Sequence, residues 1–254
     1  MLNQLHVRLV RDLTIVDQTD GPSWVIACDS VGSIGSKPGD TYPATPATVA
    51  HFAARVPLVE ILAAGATPVV VVDALCVEMD PTGKEMIAAI RELIAPLGLG
   101  PDRVTGSTED NVPVTATGVG VTVLGQVAPE RFRPGTAKAG EHLILLGRPT
   151  SAPHDQIEIG DDRMISLETL QAVMRLDGVS DALPVGSKGV AVEAGVLANT
   201  AGLSWQATVD HGVDLDRSGG PASCVIAAVT PEAIDALMSV LPPSLPRADI
   251  GVLA

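Results

Sequence analysis

The fold is decided by residues 55–77, which read Arg55-Val-Pro-Leu-Val-Glu60-Ile-Leu-Ala-Ala-Gly65-Ala-Thr-Pro68-Val-Val-Val-Val-Asp73-Ala-Leu-Cys-Val77. Apolar residues at helical spacing predict a helix over 47–64, which Gly65 ends. Pro57 inside that helix predicts a kink or a division in two. Residues 69–77 are nearly continuous and β-branched, which is typical of a central strand buried on both faces. We therefore expect an α/β body around this stretch.

Further elements extend from this centre in both directions. Alternation and short apolar runs predict strands over 6–10, 13–16, 24–28, 112–127, 141–147 and 224–229. Amphipathic spacing and capping residues predict helices over 84–97, 166–176, 191–201 and 231–241, the last of them terminal. A stretch with two prolines and no periodicity divides the chain into an α/β domain (1–127), a linker (128–139) and an α+β domain (140–254).

Composition excludes several classes of protein. Hydrophobic residues make up 46% and charged residues 18% of the 254 residues, so the chain is not disordered. Aromatic residues are only 2%, too few for a base-stacking surface. The formal charge of −14 would repel nucleic acid and an anionic membrane. If the ligand is a phosphate, nearby acids must hold a divalent cation that reverses the local sign.

Cysteine spacing and hydropathy indicate the compartment. Cys28, Cys76 and Cys224 lie far apart without a C-x-x-C motif, which argues against a zinc site or a disulfide framework and fits a reducing cytosol. The start of the chain has no apolar signal region, and the longest apolar run, 68–77, is interrupted by Asp73. We expect a soluble, cytoplasmic protein.

The first candidate site segment is Asp29-Ser-Val-Gly32-Ser-Ile-Gly35-Ser-Lys37, which follows a predicted strand. Its glycines would let backbone N–H groups approach phosphate oxygens, while Lys37 adds positive charge and Asp29 offers a metal ligand. The P-loop spacing is absent. A polar turn capped by Asp and Gly is the alternative interpretation.

Two further segments carry acids and hydroxyls. Glu60 lies among apolar residues of the predicted helix, where a carboxylate needs a metal or a partner such as Arg55, unless it faces solvent. Residues 105–111, Thr-Gly-Ser-Thr-Glu-Asp-Asn, form a polar cluster that we interpret as a loop between a helix and a strand. His51, His142, His154 and His211 have no metal spacing, and residues 161–162 and 210–216 are predicted polar turns.

The order of these segments resembles the N-terminal ATP-binding domain of the aminoimidazole ribonucleotide synthetase-like (PurM-like) superfamily. The matching stretches are Cys28-Asp29-x-x-Gly32, Arg55 to Pro68, and Thr105 to Asn111. The resemblance implies an α/β N-terminal domain that dimerises through its sheet with MgATP at the subunit interface, followed by an α+β domain. Within the superfamily, the chain is most similar to α-ribazole kinases, with Leu183-Pro-Val-Gly-Ser-Lys188-Gly189 adding to the match.

The resemblance also implies roles for individual residues. Asp29, Glu60 and Glu109 would hold Mg²⁺, and Gly32, Gly35 and Lys37 would approach the phosphates of ATP. The nucleotide would also meet Gly106, Ser107, Thr108 and Asn111. Relatives carry an acid where this chain has Ser107, so Glu109 or Asp110 would replace it, and Asp73 is a further candidate ligand. Lys188 would close over the phosphates or the nucleoside acceptor, or be a surface lysine.

We therefore predict a homodimeric ATP-dependent kinase that phosphorylates α-ribazole, a small-molecule nucleoside, in salvage of the lower ligand of cobalamin. A site without an evident nucleophile suits phosphoryl transfer, which needs alignment and charge neutralisation more than covalent participation by the protein. One alternative is another acceptor or reaction of the same fold, as in thiamine-monophosphate kinase or an ATP-dependent synthetase. The other is a nucleotide-binding regulator that has lost catalysis.

Overall fold

The computed structural model describes residues 5–209 and 212–254, which divide into two compact units. The first unit contains residues 5–8, 13–61 and 67–126, and the second contains 9–12, 62–66 and 127–254. Residues 128–139, the predicted linker, belong to the second unit, where Ala137 lies in the core. Asp210 and His211 of the predicted 210–216 turn lie outside the described residues. None of the described helices is long and apolar enough to cross a membrane.

The first unit is built on a six-stranded sheet with the order β1-β2-β3-β8-β6-β7. Its strands are β1 (His6–Val10), β2 (Leu13–Asp17), β3 (Ser23–Gly32), β6 (Thr67–Leu75), β7 (Val104–Thr108) and β8 (Gly118–Val127). β6 runs antiparallel to β8 and parallel to β7. A short parallel pair, β4 (Ile34–Gly35) and β5 (Tyr42–Pro43), follows β3.

One face of this sheet is buried and the other is half-exposed. On β8, Val119, Val121 and Val123 are buried, and the residues between them are only half-buried. The helices of the unit are α1 (Pro46–Ala63) and α2 (Lys84–Ile94). A side chain added at Gly125 of β8 would meet Ile61 of α1, so the helix lies close against the sheet there. The covered face supplies the core of the unit.

Three expectations for the first unit need correction. α1 is one helix through Pro57, because the buried side chains around this residue, such as Leu58 and Val59, hold it in place by packing. β6 is fully buried on one face only, because Val70 and Val72 on the second face are half-buried and Ala74 is exposed. The 105–111 stretch is not simply a loop: β7 pairs with β6 through its backbone, and this pairing outweighs its polar composition.

The second unit is an antiparallel sheet with the order β10-β12-β9-β13-β11. Its elements are β9 (His142–Leu146), α3 (Leu167–Val173), β10 (Val179–Pro184), α4 (Val190–Thr200), β11 (Trp205–Ala207), β12 (Val225–Val229), α5 (Ile234–Val240) and β13 (Arg247–Leu253). β12 is buried throughout. One core cluster joins α4 to β9 and β12 through residues such as Leu143, Leu197 and Ile226.

The second unit confirms some elements and corrects their order. Ser166 caps α3 as expected, because its side chain accepts a hydrogen bond from Thr169 N. β10, β11 and β13 are strands that the apolar pattern did not predict, and β13 makes α5 an internal helix instead of the terminal element. β13 reads Arg247-Ala-Asp-Ile-Gly-Val-Leu253, in which short and polar residues hide the alternation.

Candidate functional site

Three segments of the first unit meet at one end of the six-stranded sheet. They follow β3, β6 and β7 and comprise residues 33–44, 76–83 and 109–117, which we call the loop cluster. Backbone hydrogen bonds join them to each other and to β8: Ser33 N to Thr117 O (2.9 Å), Cys76 N to Gly118 O (2.8 Å) and Glu109 N to Val77 O (2.9 Å). Polar side chains from distant parts of the sequence therefore lie at a single sheet end.

Asp40 organises the loop that follows β3. One carboxylate oxygen accepts from Thr117 N, and the other accepts from Thr117 Oγ1 and Lys37 N, each at 2.7 Å. Burial works to raise the pKa of Asp40, but these hydrogen bonds hold it below its ordinary value. A side chain at Gly35 would overlap Thr117 Oγ1 and Asp40 Oδ2. Gly35, predicted to approach phosphate, therefore lets this loop close against Thr117.

Lys37 is held by a carboxylate that the sequence did not single out. Its Nζ donates to Glu78 Oε1 at 2.6 Å, and the Lys37 side chain is only 16% exposed. Thr82 Oγ1 also donates to Glu78. The hydrogen bonds from Lys37 and Thr82 lower the pKa of Glu78 to about 2. The signal that could have found Glu78 is the one used for Asp29, an acid beside a strand end.

Asp29 and Asp73 are the two desolvated carboxyls of this sheet. Asp29 lies within β3, which continues to Gly32, and not directly after a strand as expected. It shares the covered face with Val25 and Ala27 by alternation. Burial raises its pKa and a backbone hydrogen bond from Ser30 lowers it, with no described cationic side chain contributing. Burial raises the pKa of Asp73 to about 6, against a lowering influence of Arg91.

The absence of a side chain at Gly106 leaves space for Asp73 on the neighbouring strand. The two residues pair across β6 and β7, and a side chain at Gly106 would overlap both the carbonyl and a carboxylate oxygen of Asp73. Thr105 and Ser107, on either side, are exposed on the edge strand. Hydroxyls, an open backbone edge and the acid Asp73 are thus adjacent, and the nucleotide contacts of these residues stay a prediction.

The residues after β7 form a local network. Thr108 Oγ1 donates to Asp110 Oδ2 at 2.8 Å, and Met79 N donates to Asp110 Oδ1 at 3.0 Å. Glu109 accepts from Asn111 N at 2.7 Å. Asp110 therefore tethers the end of β7 to the 76–83 segment, while the Glu109 carboxylate folds onto its own turn.

The proposed metal ligands do not form one cluster within this chain. Glu60 is in the last turns of α1, whose Ile61 lies against Gly125, whereas Glu109 lies beyond the opposite end of β8. Seven residues of strand separate Gly118 from Gly125, which is about 24 Å. In the part of the chain that the structure describes, no three His, Cys, Asp or Glu side chains are close enough to hold a metal. The metal roles stay predictions.

The donor set nevertheless fits a magnesium nucleotide. Mg²⁺ in such sites uses one or two carboxylates and takes its other oxygens from phosphates and water. Asp29 is a half-buried carboxyl whose burial is offset by no described cation, and Asp73 lies on the same face of the sheet. Lys188 belongs to the second unit, where it is exposed before α4. Its role also stays a prediction.

Comparison with known protein families finds a match for most of the first unit. Residues 11–127 match the family described as AIR synthase related protein, N-terminal domain. These residues are therefore similar to an AIR synthase-related N-terminal domain. No curated protein matches the chain.

Comparison with solved structures assigns the fold of the whole chain, which is PurM-like. Thiamine-monophosphate kinase from Stenotrophomonas maltophilia K279a has a TM-score of 0.67 and 15% identity over 98% of this chain and 88% of its own. The hydrogenase maturation protein HypE in complex with ATP has a TM-score of 0.66 and 14% identity over 93% and 78%. Aquifex aeolicus thiamine-monophosphate kinase, complexed with AMPPCP and TMP, has a TM-score of 0.62 and 15% identity over 95% and 84%.

Proposed function

We propose that this protein is an ATP-dependent kinase that transfers the γ-phosphoryl group to the 5′-hydroxyl of α-ribazole. The observation that carries the proposal is the pair of desolvated acids, Asp29 and Asp73, on the sheet of an AIR synthase-related domain. The resemblance of residues 29–37 and 105–111 to α-ribazole kinases selects the acceptor. The proposal assigns the reaction to cobalamin salvage in the cytoplasm.

The chain's own groups divide the work of binding and alignment. Asp29 would hold Mg²⁺, which when bound neutralises charge on the phosphates. Asp73 lies on the same covered face, with β8 between the two strands, and is a further candidate ligand. Thr105 and Ser107 offer hydroxyls at the open edge of β7. Lys37 would exchange part of its ion pair with Glu78 for a phosphate oxygen, because both side chains keep some access to solvent.

Thiamine monophosphate is the second candidate acceptor. Two structural neighbours are thiamine-monophosphate kinases, and one of them holds AMPPCP and TMP. The two acceptors differ in the group phosphorylated, a hydroxyl in α-ribazole and a phosphate in thiamine monophosphate. Direct competition of the two compounds for MgATP-dependent turnover separates these assignments.

The proposal includes a homodimer formed through the open face of the first sheet. β6 is apolar on both faces, although on one of them Val70 and Val72 are only half-buried and Ala74 is exposed. On the edge hairpin, Val7 and Leu9 are 59% and 77% exposed, and a two-residue turn at 11–12 aligns them with Val16 and Thr14. A second copy is the partner that the resemblance implies for such a face. Sedimentation velocity tests this assembly, and a monomer at micromolar concentration contradicts it.

The Asp29→Asn variant tests the site. Asparagine keeps the shape but removes the charge, so we expect ADP release with MgATP and α-ribazole to fall by about 100-fold or more. Asp20→Asn, an exposed change in the same unit, is the matched control and should retain wild-type turnover. Thermal unfolding verifies that both variants fold.

Each outcome of that experiment decides between the candidates. Wild-type turnover in Asp29→Asn would rule out the metal role of this residue. ATP binding by the wild-type protein without turnover of either acceptor would instead favour a nucleotide-binding regulator.

A further inference from the structure

A cavity of about 420 Å³ lies within the second unit, and no residue assigned to the nucleotide lines it. It is found where β9 ends and β13 begins. Three arginines line it, Arg148, Arg217 and Arg247. The chain has 30 acidic residues against 16 Lys and Arg, so a cavity lined by three arginines is unusual for a protein of this negative net charge. Its volume lies in the range of small-molecule sites, about 300–1,000 Å³.

The sheet register brings two of these arginines together. Arg247 pairs with Leu146 across β13 and β9, and Arg148 follows Leu146 by two residues. Gly147, between Leu146 and Arg148 in the sequence, has its backbone in the left-handed region at φ 94°. Its N–H donates to Pro246 O at 2.7 Å. This turn fixes the backbone of Arg148 beside that of Arg247. Arg217 reaches the same cavity from the segment before β12.

The arginine charges are only partly balanced. Arg217 forms an ion pair with Asp155 at 2.5 Å, but its Nε is buried without a hydrogen-bond partner among the described residues. Arg247 Nη1 donates to the carbonyls of Pro242 and Leu245, which position the side chain without neutralising it. Arg148 forms no direct ion pair with the described residues, although its charge helps to lower the pKa of Asp155 and of Asp161. Asp214 is the one acid in the lining.

The remaining wall is largely apolar. Leu145, Pro149, Val213, Pro246 and Ala248 complete most of the lining. A fully hydrated inorganic ion would leave this surface unused. A ligand that joins an anionic group to an apolar body would contact both the arginines and this wall.

We propose that this cavity binds a phosphate monoester with an apolar body. Guanidinium groups recognise phosphate by paired, charge-assisted hydrogen bonds, and a dianion matches Arg148 and Arg247, neither of which forms a direct ion pair with the described residues. The proposal does not rest on the kinase reaction proposed above, because none of the lining residues is assigned to the nucleotide, the metal or the acceptor. Ligand binding here and nucleotide turnover can therefore be tested separately.

The test uses phenyl phosphate as the probe, measured by isothermal titration calorimetry with EDTA so that no metal nucleotide site contributes. We expect phenyl phosphate to bind more tightly than inorganic phosphate, benzoate or phenol, and its affinity to fall as NaCl rises. Arg148→Gln and Arg247→Gln should each weaken binding about tenfold or more. Arg175→Gln removes an exposed arginine of the same unit away from the cavity and is the matched control.

Several results would overturn the proposal. These are no binding of phenyl phosphate by the wild-type protein, equal binding of benzoate, or unchanged affinity in both cavity variants. Arg148 and Arg247 are exposed, so both variants should unfold at the wild-type temperature, and either one alone suffices for the comparison. Asp29→Asn should bind phenyl phosphate like the wild-type protein, whether or not the kinase proposal holds.

Discussion

Two ion pairs, one in each unit, join similar groups in opposite surroundings. Arg11 and Asp181 of the second unit are 5% and 0% exposed, whereas Lys37 and Glu78 of the first are 16% and 32% exposed. Burying a pair takes both charges out of water, so each then depends on the other. In a pair that keeps some access to solvent, either side chain can replace its partner with water or a ligand. The difference separates a structural contact from one suited to a binding site.

Every polar side-chain atom of the buried Arg11–Asp181 pair is hydrogen-bonded within the protein. Arg11 Nη1 and Nη2 donate to the two carboxylate oxygens of Asp181 at 3.0 and 2.6 Å, and Arg11 Nε donates to Thr200. Asp181 also accepts from the backbone N–H groups of Gly135 and Ala182. Each polar atom of the pair has a protein partner, so no ligand is needed there.

The largest expected effect is the loss of stability in Asp181→Asn. Removing one charge leaves the Arg11 guanidinium buried and uncompensated, so we expect the free energy of unfolding of the second unit to fall by about 3–5 kcal/mol. The measurement is urea unfolding followed by Trp205 fluorescence in a Trp24→Phe background, since these are the two tryptophans of the chain.

The control replaces both members of the buried pair. Arg11→Met with Asp181→Leu leaves no isolated charge and should recover most of the lost stability. A single Asp181→Asn variant as stable as the wild-type protein would show that the pair does not hold the second unit together.

The sequence predicts regular, apolar elements well and long-range pairing poorly. Helices over 47–64 and 191–201 and the strand over 6–10 are found within a residue or so of their predicted positions, because apolar periodicity depends on local burial. β7 and β13 are polar or short-chained, and they are strands because neighbouring strands satisfy their backbones. No local pattern contains that information.

In the candidate site, too, local motifs could be recognised in the sequence, whereas contacts between distant residues could not. Gly106 is predicted to contact the nucleotide, which stays a prediction, and the structure shows a different need for glycine there, the close approach of Asp73 on the neighbouring strand. The partner of Lys37 could not be predicted, because Glu78 is 41 residues away and meets it only through the loop cluster. The Arg148 and Arg247 cavity was missed for the same reason, since an unpredicted strand joins its two sides.

A smaller effect is expected from Glu78→Gln. Glutamine keeps an oxygen that can accept from Thr82, and solvent reaches the released Lys37. We expect the first unit to lose about 1.5–3 kcal/mol, the usual contribution of hydrogen bonds to a charged group, measured by urea unfolding with Trp24 fluorescence in a Trp205→Phe background. A loss as large as that of Asp181→Asn would mean that the exposed pair is structural, and the comparison between the two pairs would fail.

The acid dependence of the Lys37–Glu78 pair follows from the same two contacts. Lys37 and Thr82 lower the pKa of Glu78 from 4.5 to about 2, so the stabilisation is present above pH 4.5 and is lost as the pH falls towards 2. A ¹³C NMR titration of the Glu78 carboxyl should therefore have its midpoint near 2. In Lys37→Met the main cause of the shift is removed, so the midpoint should rise towards 4.5. A wild-type midpoint already near 4.5 would mean that Lys37 is free of Glu78 in solution and available to a phosphate without exchange.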